Sequence, residues 1–488
     1  MVETRWGPVP PSDLVAKLEA RGQGHLLRFW PDLDDAGRAN LVAEVQALDL
    51  DRLGRLVTEL LGPAERGDPV AAVAADSTQV RPVDVVRLPQ TDADRVQHRQ
   101  DHERGAAMLA AGEVAVVVVA GGQGTRLGFD GPKGTFPIGP VSNASLFQVH
   151  AEKMLALMRR HGRTLPFYVM TSPQNHDETV EFWARNDQFR LPHVRFFVQG
   201  QMPAVDASSG RILLADRDRL ALAPDGHGGT IAALARPGEK GEPSCLDEMR
   251  ERGIRSVFYF QVDNPMVDLA DPAFLGRFRE DRAEIGFKVV EKVAPDERVG
   301  VVVEINGEPR VIEYSDLDPE LAGQREPDGR LRLWAGSIAI HLFDLDFLSR
   351  LAAEGGQLPF HRANKKVPFV DETGKKVEPN HPNAVKFEQF IFDALPLAHR
   401  WLVLECDRQR EFEPLKNATG PESPASVRRR MTDQFAGWLE HAGAKVSRTD
   451  EGAVPFGIEI SPLYALDAAE LRSKLAPGTV IDGPTYLR

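Results

Sequence analysis

Cysteine is nearly missing from this chain: Cys245 and Cys406 are the two in 488 residues. They have no paired spacing, so neither a disulfide framework nor a zinc site is indicated, and each reads as a small buried hydrophobe. Long apolar runs are also missing. None approaches the ~20 residues of a membrane span, and no secretory signal is recognisable, so the chain is expected to be cytoplasmic. Positive charge is in deficit, with 59 Lys and Arg against 72 Asp and Glu and a formal net charge of −13. That balance argues against nucleic acid or an anionic membrane as a general partner. An anionic substrate must then be met by a local cluster of cations. There is no repeat at the solenoid periods and no low-complexity tail.

What is present describes a globular chain, 42% hydrophobic and 27% charged, too long for one ordinary core. Residues 1–105 read as a helical region. Ser12 is a candidate cap before Leu14, Val15 and Leu18; Asp34 and Asp35 precede a second stripe of Leu41, Val42, Val45 and Leu48. Pro69, Pro82 and Pro89 mark a connecting stretch with little periodicity. From 106 to 412 strands alternate with helices, the pattern of an α/β domain with a mostly parallel mixed sheet flanked by helices. Strands are expected at Val114–Ala120, Pro166–Met170, Val194–Val198 and Val257–Val262, then at Gly286–Lys292, Val299–Ile305, Arg310–Tyr314 and Leu333–Phe343. Helices are expected at Leu146–Met158, capped by Ser145, and at Glu388–Leu397. Residues 413–488 form a small C-terminal domain, with a helix over Ala425–Ala442 and a strand over Gly457–Ile460. Ligands of open α/β sheets bind beyond the carboxyl ends of the strands, so the loops after 120, 198 and 262 belong on one rim.

The first of those loops dominates the sequence. The β-branched run Val116–Val119 breaks into glycines at 121, 122, 124 and 128, with Arg126 and then Pro132-Lys133-Gly134 behind them. Glycine lets backbone N–H groups approach a phosphate or a base edge, and two cations suit a nucleoside triphosphate. The dinucleotide fingerprint fails because Leu127 stands at its sixth position. A P-loop fails because Lys133 follows proline and precedes glycine. The strand ending at Val262 runs into Asp263-Asn264-Pro265. A carboxylate has little structural reason to end an apolar strand, and an oxygen donor there suits Mg²⁺ (or Mn²⁺).

The glycine stretch resembles the signature of the UTP-dependent sugar-1-phosphate uridylyltransferases, nearest to the eukaryotic-type UDP-N-acetylglucosamine pyrophosphorylases. Further elements follow in family order: Gly22–Trp30, Gln199-Gly200 with Met202-Pro203-Ala204, Ala223–Gly229, Val262-Asp263-Asn264, Val299–Val302, Ile312–Ser315, Trp334–Ile338, Phe387–Asp393, Pro414–Asn417 and Ile458–Pro462. The resemblance implies a Rossmann-like nucleotide-diphospho-sugar transferase fold. It also implies Mg²⁺-dependent attack of a sugar 1-phosphate, N-acetylglucosamine 1-phosphate first, on UTP to give UDP-sugar and pyrophosphate. It assigns Arg126, Lys133 and Lys416 to catalysis and Asp263 to the metal. Gly121, Gly122, Gly124, Gln199, Pro224 and Gly226 go to the nucleotide. His227, Gly228, Gly300, Glu313, Ser337, Lys386, Phe390 and Phe392 go to the sugar. Two positions depart from the family pattern: His227 and Ser337 each stand where asparagine is expected. Relatives acting on UDP-glucose tend to carry Gly-His-Gly at the first, which makes glucose 1-phosphate or a broad UDP-sugar activity the alternative. A glycosyltransferase would need Asp-x-Asp after a strand, which Asp263-Asn264-Pro265 lacks. A non-catalytic nucleotide-sugar-binding regulator would be expected to lose Arg126, Lys133, Asp263 or Lys416, and all four are present.

Overall fold

Four valines and an alanine at 114–118 have no exposed face, and a sheet covered on both sides is the structure that accommodates them. In a computed structural model describing residues 9–61, 79–238, 241–353 and 358–488, they occupy the middle of such a sheet. Pro69 lies outside the described residues. Two compact units are formed: one from the described residues of Met1–Asp76, Gly200–Gly229 and Leu358–Asp393, the other from those of Ser77–Gln199, Thr230–Gln357 and Ala394–Arg488.

The larger unit is built on a ten-stranded mixed sheet. Its strands are β1 (Val80–Pro82), β2 (Val114–Val119), β3 (Phe167–Thr171), β4 (Val194–Val198), β5 (Ser256–Gln261), β6 (Ile285–Glu291), β7 (Val301–Ile305), β8 (Glu308–Ile312), β9 (Ala335–Asp344) and β10 (Trp401–Glu405). The order is β1–β7–β9–β5–β2–β3–β4, with β8 on β7 and β6 between β9 and β10. The half formed by β5, β2, β3 and β4 is parallel throughout, so the carboxyl ends of these strands share one edge. That is the rim expected from the loops after 120, 198 and 262. Strand β9 runs antiparallel to β5, β6 and β7. Burial of each β2 valine contributes roughly 1.5–3 kcal/mol.

Helix α1 (Asp92–Ala111) opens with a reciprocal Thr91–Asp94 capping box and stops at Gly112 in the left-handed region. It crosses α2 (Pro272–Glu280) so closely that a Cβ on Gly105 would lie 1.9 Å from the Pro272 carbonyl oxygen, and one on Gly276 1.8 Å from that of Asp101. The helix over Leu146–His161 is capped by Ser145, as expected, and buries Leu146, Val149, Met154 and Leu157. Pro82, read as part of a connector, instead ends β1, where it faces Val303 across an edge pairing. At the C-terminus, Ser423 caps the helix Pro424–His441, and Ile458–Ile460 pairs with Thr485–Leu487. Both cysteines are buried and free. Among the described residues no helix is long and apolar enough to cross a membrane.

The smaller unit packs the helices Ser12–Glu19, Asp35–Gln46 and Leu50–Leu61 against short strands. Leu14, Leu18, Leu41 and Val45 share a core with Val205, Ile212, Leu220 and Phe387. Ser12 is the first helical residue, not the cap: Pro11 holds that position, with no side-chain cap bond. Asp34 does cap, accepting the Gly37 N–H. The helix expected over Glu388–Leu397 is corrected. Ala384–Gln389 is a strand, paired with Phe360–Lys365 and Val205–Asp206, and Ile391–Leu397 is a 3₁₀ segment containing Pro396. The aromatic spacing suggested a helical face, but in the strand Val385, Phe387 and Gln389 alternate inward.

Candidate active site

In the larger unit, the backbone beyond β2 folds into a tight loop. The Gly124 N–H donates to Gly131 O at 2.9 Å, and the Lys133 N–H returns to Gly122 O at 3.0 Å. Gly128 and Gly131 take positive φ, which permits the reversal. Asn175 braces the base of this loop. Its Nδ2 donates to Ala120 O at 2.9 Å, while its Oδ1 accepts the Ser172 N–H. A Cβ on Gly121 would lie 2.4 Å from Gln199 Oε1, so glycine there lets the Gln199 amide close on the backbone. Gly122 has open space where a Cβ would be.

The loop returns Lys133 to the end of the neighbouring strand β5. Its Nζ lies 3.2 Å from Asp263 Oδ2, with the two side chains 20% and 11% exposed. Arg126 sits exposed on a single 3₁₀ turn, Thr125–Leu127. Lys416 follows Leu415, whose N–H donates to Asp263 O at 2.8 Å. Its own ammonium is 3.6 Å from Glu422. At β7–β9, Gly300, Glu313 and Ser337 come together: the Ser337 N–H donates to Gly300 O at 2.8 Å, and a Cβ on Gly300 would meet Glu313 Oε1 at 3.3 Å. Among the described residues, no three His, Cys, Asp or Glu side chains gather into a metal cage.

The smaller unit carries the second glycine loop. Pro224 ends a short strand against Gln201, and the Gln389 N–H donates to Asp225 O at 2.7 Å. Gly226, at φ +87°, and Gly228 lie on the 389–390 backbone, where a Cβ would sit 2.4 and 2.7 Å from backbone atoms. His227 is placed by the same segment: its Nδ1 accepts the Ile391 N–H at 3.1 Å. Because Nδ1 accepts, the neutral ring carries its proton on Nε2. Burial, with His361 nearby, lowers the His227 pKa to about 4. The ring stacks on Phe390 at 5.5 Å and meets Phe392 at 5.8 Å. His361 also stacks on Phe390, at 4.5 Å, and binds Asp393 through Nε2 at 2.8 Å. Lys386 is half-buried on the same strand, and burial lowers its pKa.

Sequence reasoning missed Asn175, His361 and the tether formed by Asn264. Asn175 follows the Thr171-Ser172-Pro173-Gln174 stretch that ends β3, so its place after a site strand was a usable signal. His361 had none, because its ring partner Phe390 is remote in sequence.

Residues 71–420 match the family described as UTP–glucose-1-phosphate uridylyltransferase. The chain is 37% identical over 500 residues to UDP-N-acetylhexosamine pyrophosphorylase-like protein 1 of Mus musculus, covering 97% of this chain and 96% of that protein. It is 34% identical over 442 residues to the UDP-N-acetylglucosamine pyrophosphorylase of Saccharomyces cerevisiae, covering 87% and 90%. Among solved structures it is similar to the uridine diphosphate N-acetylglucosamine pyrophosphorylase of Trypanosoma brucei in complex with inhibitor. That match has a TM-score of 0.76 at 28% identity and covers 98% and 99% of the two chains. A matched family region spanning most of the chain, over a glycine loop that sets Lys133 beside Asp263, makes this chain a member of the UTP–glucose-1-phosphate uridylyltransferase family, a uridylyltransferase among the nucleotidyltransferases.

Proposed function

We propose that this chain transfers the uridylyl group of UTP to N-acetylglucosamine 1-phosphate, giving UDP-N-acetylglucosamine and pyrophosphate, in the cytoplasm. The observation that carries the reading is the Lys133–Asp263 pair beside the glycine loop, at the carboxyl edge of the parallel strands. The names of the Saccharomyces cerevisiae and Trypanosoma brucei proteins carry the same sugar. The attacking sugar-phosphate oxygen is already anionic, so no general base is needed. It bonds to the α-phosphorus as the bond to the bridging oxygen breaks, and pyrophosphate leaves with the electron pair. The catalytic problem is to hold several negative charges together and the two oxygens in line.

In this reading Arg126, Lys133 and Lys416 clamp the phosphates. Gly121, Gly122, Gly124, Gln199, Pro224 and Gly226 receive the nucleotide, with the Gln199 amide offering both a donor and an acceptor to uracil. His227, Gly228, Gly300, Glu313, Ser337, Lys386, Phe390 and Phe392 receive the sugar. One carboxylate with substrate phosphates is a common way to hold Mg²⁺, so Asp263 fits Mg²⁺ (or Mn²⁺) as its protein ligand. The ion would neutralise phosphate charge. A second reading, with glucose 1-phosphate as acceptor, is favoured by His227 and Ser337.

The test is pyrophosphate release from UTP across a panel of sugar 1-phosphates, compared by kcat/KM. Preference for N-acetylglucosamine 1-phosphate supports the proposal. Preference for glucose 1-phosphate transfers it to the second reading, and no release with any sugar overturns both.

A further inference from the structure

Asp263 and Lys416 come from chain segments far apart in sequence, and a buried side-chain amide, with one backbone hydrogen bond, joins those segments. Asn264 is 5% exposed. Its Nδ2 donates to Glu411 O at 2.7 Å, while its Oδ1 accepts the Met266 N–H at 3.2 Å and the Glu413 N–H at 3.3 Å. One planar group thus pins its own loop and the 411–413 backbone together. The Leu415 N–H then closes on Asp263 O at 2.8 Å. Behind this joint, Glu411 is held by Lys288, which is fully buried at 2.6 Å from Glu411 and 2.7 Å from Asp271. Two further groups fix the Asp263 loop itself: Lys153 Nζ donates to the carbonyls of Pro265 and Val267, and His150 Nε2 to that of Val262. Among the described residues, Lys153 feels the charge of Glu411, but neither group hydrogen-bonds to the 411–416 segment. Within that scaffold, Asn264 is the side chain that binds the two segments to each other.

We propose that Asn264 is a positioning residue for uridylyl transfer, its amide locking the loop that carries Asp263 to the segment that carries Lys416 so that the two groups are set as a unit. The proposal rests on the reading above, in which Asp263 and Lys416 act on the phosphates. Only an amide supplies the donor and the acceptors this joint uses. Aspartate would keep the acceptor but turn a carboxylate oxygen toward the Glu411 carbonyl.

The experiment uses the full chain and four variants: Asn264→Ala, Asn264→Asp, Lys416→Ala, and Asn264→Ala combined with Lys416→Ala. Turnover, KM for each substrate and thermal unfolding are measured for all. Misplacing a phosphate clamp by about 1 Å can cost about 100-fold, so Asn264→Ala should lower kcat by about 10- to 100-fold and move KM for UTP by less than about 3-fold. Asn264→Asp should be at least as slow as Asn264→Ala. The double variant should be about as slow as Lys416→Ala alone, because the tether then has no lysine to place. Multiplicative losses in the double variant would overturn the proposal, as would normal turnover in both Asn264 variants. If Asn264→Ala does not fold, Asn264→Asp and its combination with Lys416→Ala give the same cycle. Normal turnover in Lys416→Ala would overturn the role given to Lys416 and the proposal with it. A slow Lys416→Ala beside a normal Asn264→Ala would overturn the tether alone.

Discussion

The two glycine-rich loops differ in the space around one glycine of each, Gly122 in the first and Gly226 in the second. In the loop after β2, a Cβ on Gly122 would meet nothing within 4 Å. In the loop at 223–229, Cβ atoms on Gly226 and Gly228 would run into the 389–390 backbone, and one on Gly229 would strike Asp225. Glycine at 226 and 228 is therefore demanded by the protein's own packing. At Gly122 the fold makes no such demand. The chemistry divides the same way. The first loop sets an ammonium beside a carboxylate, whereas the second holds an imidazole among aromatic rings.

The largest expected effect tests the charged half of this contrast. Lys133→Ala or Asp263→Ala should lower kcat by about 10²–10³-fold with thermal unfolding little changed; near-normal turnover would remove the assigned roles. Next comes the packing contrast. Gly226→Ala should destabilise by about 1–3 kcal/mol, because it adds a Cβ at positive φ against backbone. Gly122→Ala should stay within about 0.5 kcal/mol of the parent yet raise KM for UTP. Equal unfolding shifts in the two variants would erase the distinction. Smaller again is selectivity: His227→Asn should raise the kcat/KM ratio of N-acetylglucosamine to glucose 1-phosphate by about 10-fold. An unchanged ratio would mean that this loop does not select the sugar.

A last test is stability against pH. The folded-state pKa of His227 lies at about 4, below the ordinary 6.5, so on acidification the unfolded chain takes up the proton first. That part of the stability is present above pH 6.5 and is lost as pH falls toward 4. Relative to His227→Asn, the parent should lose stability across that window and hold a constant difference above it. A pH-independent difference throughout, followed by chemical unfolding, would show that the ring is not held neutral by burial.

Strands with strong local signals were legible: the valine run at 114–119, the strands at 167–171 and 194–198, and the rim their ends share. So was the shared rim of Lys133 and Asp263, because both residues follow strands of the parallel half of the sheet, although their pairing was not read from the sequence. The 384–397 stretch was not. Its strand character comes from partners at 205–206 and 360–365, which local spacing cannot reveal, while its aromatic residues imitate a helical face. The tether through Asn264 was half visible. The residue stood in a noticed motif, but its partners at 411 and 413 are set by the fold. The ring stack on Phe390 was hidden for the same reason, since His361 approaches it through the pairing of two distant strands.

The smaller unit draws its core from three stretches of chain separated by more than a hundred residues each. Leu14, Leu18 and Leu41 share that core with Phe387, so the N-terminal helices cannot finish burying their apolar faces until synthesis has passed residue 387. During synthesis those faces remain open for the time needed to add more than 300 residues, tens of seconds at about 5–20 residues per second. This arrangement leaves the apolar faces of the N-terminal helices without their partners during synthesis. It also makes a nascent chain stopped before residue 384 sensitive to protease at 12–61.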